Sequence, residues 1–191
     1  TITAVFLLAF ISGIVLTYTA LENNDSIAGQ NGKVWEDQIQ RTNAPTIGED
    51  NAPVDVIIYQ DYACEQCRNF TQGEESPLNH IKSRYVSSGE ARLIWKNYPK
   101  KGHPWSTNAS TLLECIHRES PETFFHAKNS VLNQQSMINN SNLVQKTLED
   151  TELEGGKEGQ IRECYRNGEA LSEVLSQKRV AEELGVLRPP A

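Results

Sequence analysis

Two of the four cysteines in the chain, Cys64 and Cys67, lie three positions apart in the stretch DYACEQC. A structural disulfide rarely closes so small a loop, so the spacing indicates either redox chemistry or metal binding. In redox chemistry one thiolate attacks a substrate disulfide and the second thiol resolves the mixed disulfide that forms. No other residue type can do both jobs, which makes this pair the first candidate for a reactive centre.

A zinc site is the alternative for the same two cysteines. Zinc would need two more ligands, and Cys115, His117 and Cys164 are available, but they are dispersed rather than arranged as a second tight pair. A c-type haem would need histidine directly after the second cysteine, and Arg68 stands there, which excludes it. Redox chemistry is therefore favoured, with zinc kept as the alternative.

The residues before the pair predict a buried strand that positions it. In PVDVIIYQ, residues 53–60, apolar side chains alternate on both faces, which is typical of a strand covered on both sides. Beyond the pair, the apolar spacing predicts a helix bent near Gly73 and Pro77. Cys64 is then expected at a helix N-terminus, where exposed N–H groups and the helix dipole favour the thiolate form.

The two residues between the cysteines, Glu65 and Gln66, are expected to tune the redox potential. The carboxylate of Glu65 opposes a thiolate at Cys64, so the pair should be less oxidising than it would be with histidine or proline there. The helix N-terminus has the opposite effect, because it stabilises the thiolate and so makes the pair more oxidising. His103, in the sequence GHPW, could shuttle a proton, but a His-Pro turn at a helix start is more often structural.

The remaining elements complete an order of strand, helix, strand and helices. A second strand is predicted at 91–98, and helices at 104–119, 121–132, 141–150 and 169–184, the last ending with Gly185 at its C′ position. The helix at 104–119 has one apolar stripe, formed by Trp105, Ala109, Leu112, Leu113 and Ile116. The segment 51–191 is accordingly expected to form one domain.

The N-terminal segment 1–21 carries no charge and, as a helix, would be about 30 Å long, which matches the thickness of the hydrocarbon core. It predicts a transmembrane anchor, with an uncleaved or cleaved signal sequence as the rival interpretation. Residues 22–50 form a polar tether that is richer in acidic than in basic residues, which by the positive-inside rule places it on the extracytoplasmic side. Disulfides persist in such a compartment.

The charge of the chain restricts the class of partner. A net charge of −7 and a pI near 5.2 argue against nucleic acid, because phosphate binding depends on clustered Lys and Arg.

Four stretches of the chain resemble the DsbA-like branch of the thioredoxin-fold thiol:disulfide oxidoreductases, including membrane-anchored bacterial members. They are GEDNAPVDVIIYQDYACEQCRNF, YVSSGEARLIWKNYPKKGHP, NASTLLECIHRESPETFFHAKNSVLNQQ and IRECYRNGEALSEVLSQKRVAEELGVLRPPA. The resemblance spans about residues 48–191. It implies an α/β thioredoxin-like fold with an inserted helical region, and a chain that ends before the family's last hairpin and helix.

The resemblance also implies roles for individual residues. Cys64 would be the nucleophile, Cys67 the resolving thiol, and Pro190 the cis-proline that helps to align a substrate backbone. Pro189 and Arg188 depart from the family pattern, since proline has no N–H to offer the substrate and the family has glycine at the other position.

In the resembling family the positions of Cys115 and Cys164 can form a second disulfide within the helical region. Such a bond would close a loop of about 50 residues and stabilise the fold by roughly 4 kcal/mol on the chain-entropy model. Two buried, inert thiols are the alternative.

The activity implied is that of a membrane-anchored thiol:disulfide oxidoreductase outside the cytoplasm, in the periplasm or at the cell surface. It would oxidise reduced or misoxidised secreted proteins through its redox-active disulfide, without another cofactor, and be reoxidised by a membrane quinone-linked thiol oxidase. A reductase or isomerase of the same fold is one alternative, because exchange runs in both directions. A membrane-tethered metal-binding module that uses the same cysteines is another.

Overall fold

The structure is a computed structural model that describes residues 43–153 and 155–191, which form a compact unit from Ala44 to Ala191. The predicted anchor, 1–21, and most of the predicted tether lie outside the described residues. In the described part of the chain, no helix is long and apolar enough to cross a membrane.

The described sheet has three strands in the order β1-β3-β2. The strands are β1 (Thr46–Ile47), β2 (Val54–Gln60) and β3 (Ala91–Asn97). Strands β2 and β3 are parallel and in register from Val54 opposite Ala91 to Gln60 opposite Asn97, while β1 runs antiparallel to β3. The two predicted strands are therefore paired neighbours, and parallel pairing places their carboxyl ends at the same edge.

Strand β1 lies in the segment that the sequence assigned to the tether. Thr46 and Ile47 pair with Ile94 and Leu93 of β3. Two residues are too few to show an alternating pattern, so only the pairing with β3 reveals this strand.

Ala191 lies beside the other edge of β2. Its carbonyl accepts a bond of 2.8 Å from the N–H of Tyr59, and its N–H donates to the carbonyl of Tyr59 at 3.4 Å. Two residues that exchange both bonds form an antiparallel pair. The residues that precede Ala191, including both prolines, are thereby held next to β2.

The helices mostly follow the predicted positions. They are α1 (Glu65–Thr71), α2 (Pro77–Ile81) with a π-helical turn at Lys82–Val86, α3 (Ser106–Glu119), α4 (Phe124–Asn133) after a 3₁₀ turn at Pro121–Thr123, α5 (Leu143–Glu149), α6 (Lys157–Asn167) and α7 (Leu171–Glu183). Gly185 follows α7 with a φ of +81°, as predicted for its C′ position.

The helix expected to bend after the cysteine pair is instead two separate helices. Helix α1 ends at Thr71, and α2 begins at Pro77 with Ser76 as its N-cap, whose hydroxyl accepts a bond of 3.2 Å from the N–H of Asn79. Gly73 between them has a φ of +97°, which other residues rarely adopt. The combination of glycine, cap and proline ends one helix and starts another.

Helix α3 is the centre of the core. Its predicted apolar stripe is buried, and so are several of its polar residues, because α4, α6 and α7 pack around it. Helix α6 was not predicted, since Ile161 and Cys164 are its only buried residues and give no stripe. The bond between Cys115 of α3 and Cys164 of α6 is present, which is the pairing that the family resemblance implied.

Candidate active site

The two cysteines of DYACEQC lie where β2 leads into α1. Cys64 is the N-cap residue of α1, with an extended backbone, and Cys67 is in its first turn. The exposed fraction is 6% for Cys64 and 0% for Cys67, and both thiols are free. The pair is therefore asymmetric, with the N-terminal sulfur nearer to solvent.

Burial raises the pKa of the Cys67 thiol well above its usual range, and the neighbouring Cys64 raises it further. A bond of 3.5 Å from the N–H of Asp61 to the Cys67 sulfur acts in the opposite direction. The environment thus favours the protonated form of Cys67. A buried, protonated thiol is unsuited to attack an incoming protein disulfide but can act on a sulfur bonded to Cys64.

The thiol of Cys64 donates a bond of 3.1 Å to the side-chain oxygen of Gln66. Gln66 is exposed, so its amide can rotate and present its N–H₂ group when Cys64 becomes a thiolate. Gln66 can therefore bond to the sulfur in either protonation state.

Glu65 faces solvent and is paired with Arg68 of the same helix. The two side chains are 3.4 Å apart, with 68% of Glu65 and 33% of Arg68 exposed. The sequence places the negative charge of Glu65 next to Cys64 but does not show its partner Arg68. The guanidinium beside it offsets part of that charge, so its effect on the sulfur of Cys64 is smaller than for an isolated carboxylate.

The residue that organises the loop before the cysteines is Asp61, which is completely buried. Its carboxylate accepts bonds from the N–H of Ala63 at 2.8 Å and of Lys100 at 3.0 Å, and from the Ser106 hydroxyl at 2.5 Å. His103 Nδ1 lies 2.7 Å from the second carboxylate oxygen. Asp61 thus joins the active-site loop to the segment between β3 and α3, and His103 has a structural contact there.

We expect Asp61→Asn to lower the free energy of unfolding by about 2 kcal/mol, measured by urea denaturation. The amide nitrogen of asparagine would face donors that now bond to an oxygen, which leaves a buried donor without an acceptor. Asp50→Asn is the matched control, because the Asp50 side chain is 96% exposed, and we expect a change of no more than about 0.5 kcal/mol. Equal stabilities of the two variants would contradict the role of Asp61.

The loop that carries Cys64 makes a second contact, with the segment that follows α4. Gln135, just after α4, donates from its side-chain nitrogen to the carbonyls of Tyr62 at 2.8 Å and of Cys64 at 2.9 Å. No local pattern in the sequence points to this residue, because its bonds cross more than 70 positions. Gln135 therefore holds the backbone of Cys64 against the segment that follows α4.

Buried ionisable groups lie behind the loop. Burial lowers the pKa of Lys96 to about 8 and raises the pKa of Glu114. The pKa of Tyr62 is raised by burial and by the nearby acidic groups of Glu114, Cys67 and Asp61. The phenol therefore stays neutral at ordinary pH.

The predicted cis-proline segment lies beside β2. The peptide bond between Pro189 and Pro190 is cis, Pro189 is buried and Pro190 is half-buried. Because the next residue, Ala191, pairs with Tyr59, this turn lies next to the strand that leads to the cysteines. Arg188 is exposed.

The other possible zinc ligands do not join the cysteine pair. Cys115 and Cys164 are bonded to each other, so neither is available as a thiolate ligand. Across residues 43–153 and 155–191, no group of three or more His, Cys, Asp or Glu side chains is arranged to hold a metal ion.

An open cavity of about 340 Å³ adjoins the active-site loop. It is lined by residues from α1, from the start of α3 and from the segment after α4: Ala63, Glu65, Arg68, Trp105, Gln135 and Ser136. Its lining is largely polar, and one wall is the turn of α1 that begins at Cys64.

The family model described as thioredoxin matches residues 40–191. The chain belongs to the thioredoxin family. The α/β thioredoxin-like fold expected from the sequence is therefore confirmed, and it includes the Cys64–Cys67 pair at the start of α1.

Relatives of this thioredoxin-family chain include the probable disulfide bond formation protein D of Bacillus cereus, 28% identical over 80 residues. The disulfide bond formation protein D of Bacillus subtilis is 27% identical over 109 residues. These matches cover 42% and 56% of this chain, but only 35% and 44% of the relatives. The chain thus matches less than half the length of either one.

Similar solved structures include oxidised BdbD from Bacillus subtilis, with a TM-score of 0.64 and 20% identity over 77% of this chain and 78% of that chain. Chlamydia trachomatis DsbA has a TM-score of 0.62 and 18% identity, with coverage of 78% and 77%. The catalytic domain of Proteus mirabilis ScsC has a TM-score of 0.65 and 20% identity, with coverage of 85% and 83%. At these identities the likeness establishes the fold of the thioredoxin-family domain.

Proposed function

We propose that this thioredoxin-family domain catalyses thiol–disulfide exchange with protein substrates. The observation that carries the proposal is the asymmetry of the pair, with Cys64 at the helix start and slightly exposed, and Cys67 completely buried. An exchange catalyst needs one sulfur that a substrate can reach and a second that only the first can reach.

In the oxidising direction the domain starts with a disulfide between Cys64 and Cys67. A substrate thiolate attacks the Cys64 sulfur, the bond to Cys67 breaks, and Cys67 leaves as a thiolate that takes up a proton. A second substrate thiolate then attacks the substrate sulfur of the mixed disulfide and releases Cys64. The substrate loses two electrons and gains a disulfide, while the domain becomes a dithiol.

The surroundings of the pair fit these steps. Asp61 and Gln135 hold the loop that carries Cys64, so its sulfur keeps its place when the bond to Cys67 breaks. The cavity next to α1 gives a substrate chain a place to lie, and Pro190 is assigned to align its backbone. With Pro189 before it, that turn lacks one backbone N–H donor for the substrate.

We assign oxidation of secreted proteins as the physiological direction, supported by relatives named for disulfide bond formation. The substrates are then reduced or misoxidised secreted proteins, and a membrane quinone-linked thiol oxidase regenerates the disulfide. The proposed location is the extracytoplasmic face of a membrane, with 1–21 as the anchor. Release of the full chain from membranes by a high-salt wash would refute the anchor.

Reduction or isomerisation is the second candidate, and Glu65 is the observation that favours it. A carboxylate next to Cys64 destabilises a thiolate there, and therefore the reduced form of the pair, which lowers the reduction potential. The reduction potential separates the two directions. We expect a value above about −180 mV by equilibration with glutathione buffers, whereas a value near about −270 mV would assign the domain to reduction.

Glu65→His is expected to raise that potential by about 10 to 30 mV. The change removes a negative charge beside the Cys64 sulfur, which stabilises the thiolate and therefore the reduced form, so the disulfide becomes a stronger oxidant. The shift is modest because Glu65 is exposed and paired with Arg68.

Glu74→His is the matched control, since Glu74 is also an exposed acid but lies beyond the end of α1. We expect its potential to equal that of the wild type. An unchanged or lower potential in Glu65→His would mean that the helix terminus and Gln66, rather than Glu65, set the potential.

A further inference from the structure

A second cavity, of about 120 Å³, lies on another part of the domain, between the end of α1, the π-helical turn and α4. Its lining combines apolar side chains, such as those of Trp95 and Phe125, with polar ones, among them Asn79, Lys82, Lys128 and Asn129. Several of these residues are exposed, among them Asn79 and Asn129, so a solute can enter from solvent. The proposed exchange reaction makes no use of this cavity.

Lys128 is the unusual residue of the cavity, because it is a lysine with only 2% of its surface exposed. Its ammonium lies 5.1 Å from the centre of the Trp95 ring and 5.9 Å from that of Phe125. Among the described residues, no carboxylate forms an ion pair with Lys128. Aromatic faces compensate only part of the cost of burying a cation.

A second cation lines the same cavity. Lys82 is half-buried in the π-helical turn. Burial, together with the like charge of Lys82, lowers the pKa of Lys128 to about 7. Two ammonium groups that face one space repel each other, and an anion between them would be attracted to both.

Neutral hydrogen-bond donors border the same space. The side-chain nitrogen of Gln72 donates to the Asn129 side-chain oxygen at 3.1 Å, which directs the N–H₂ group of Asn129 away from that bond. No aspartate, glutamate or histidine is among the residues described as lining the cavity. The cavity therefore offers cations and N–H donors with no competing carboxylate.

We propose that this cavity binds a small tetrahedral oxyanion of the sulfate and phosphate class, held between Lys128 and Lys82. The volume favours a small ligand, because about 120 Å³ lies well below the roughly 300–1,000 Å³ of pockets that hold drug-sized molecules. A nucleotide is too large. The bound anion would link α4 to the π-helical turn.

The test is calorimetric titration of the full chain with sodium sulfate at constant ionic strength, because sulfate stays divalent between pH 6 and pH 8. We expect saturable binding at pH 6. The dissociation constant should rise about tenfold at pH 8, since the protonated form of Lys128 binds the anion and is lost as the pH rises through about 7.

Lys128→Met, which keeps an unbranched side chain one atom shorter than that of lysine, should weaken sulfate binding at least tenfold at pH 6 and abolish the pH dependence. Lys82→Met is the second variant, for the case that the buried substitution does not fold, and it should also weaken binding. Lys146→Met, on α5 and outside the cavity, should bind like the wild type.

Two results would overturn the proposal. One is the absence of saturable binding by the folded wild type up to millimolar sulfate. The other is equal binding by the wild type and Lys82→Met or Lys128→Met, which would mean that sulfate acts only as a general stabilising salt.

Discussion

Replacement of Cys67 with alanine is expected to trap a mixed disulfide between Cys64 and substrate protein. The variant keeps the sulfur nearer to solvent and removes the buried one that would release the substrate. Non-reducing electrophoresis after incubation with an unfolded protein that contains a disulfide should show a product that disappears on addition of a thiol. We expect its yield to exceed that of the wild type at least tenfold.

Cys64→Ala is the matched control, because it leaves Cys67 as the only free thiol at the site. Burial raises the pKa of Cys67 above its usual range, so this thiol is mostly protonated at neutral pH and is shielded from protein substrates. We expect almost no adduct. If Cys64→Ala formed the adduct and Cys67→Ala did not, the assignment of the two roles would be wrong.

The double variant Cys115→Ala/Cys164→Ala is expected to lose about 4 kcal/mol of the free energy of unfolding. The bond spans 49 positions and connects α3 to α6, so without it the unfolded chain gains the entropy of an open loop. Urea denaturation followed by circular dichroism measures the loss. A variant within about 1 kcal/mol of the wild type would show that helix packing alone holds α6 in place.

The folded double variant should still catalyse thiol–disulfide exchange, because neither Cys115 nor Cys164 belongs to the loop around Cys64. The rate at which Cys64 reacts with an alkylating reagent below the denaturation temperature provides the control. A large change in that rate would mean that the disulfide also supports the active site.

The sequence predicts the elements that carry strong local patterns. Strands β2 and β3 were predicted within one residue of their observed ends, and in β2 the local signal is the presence of apolar side chains on both faces. Helix α3 was predicted from its apolar stripe, and the end of α7 from Gly185. The cysteine pair was located from spacing alone.

Features that depend on distant partners were not predictable from the sequence. Strand β1 has two residues and exists through its pairing with β3, and α6 buries only Ile161 and Cys164. Asp61 directly follows a strand that the sequence predicts, but its role depends on bonds to Lys100 and Ser106, about 40 positions away. Local periodicity contains no information about such contacts.

Side-chain contacts between near neighbours in the active site were also not predictable from the sequence. The sequence placed Glu65 beside the reactive sulfur, but not the pairing of its side chain with Arg68, which reduces its charge effect. Gln66 was expected to tune the pair, and its bond to the thiol of Cys64 supplies a mechanism that depends on the side-chain conformation.

The most direct test of the proposed function is a single-turnover transfer of the disulfide to a reduced, unfolded protein. The full chain, oxidised at Cys64 and Cys67, is mixed with an equal amount of that substrate, and mass spectrometry after alkylation counts the thiols on each partner. We predict that one disulfide appears in the substrate for each Cys64–Cys67 pair that becomes reduced, while the Cys115–Cys164 bond stays intact. Retention of the disulfide by the Cys64–Cys67 pair, or its loss from Cys115 and Cys164 instead, would contradict the account.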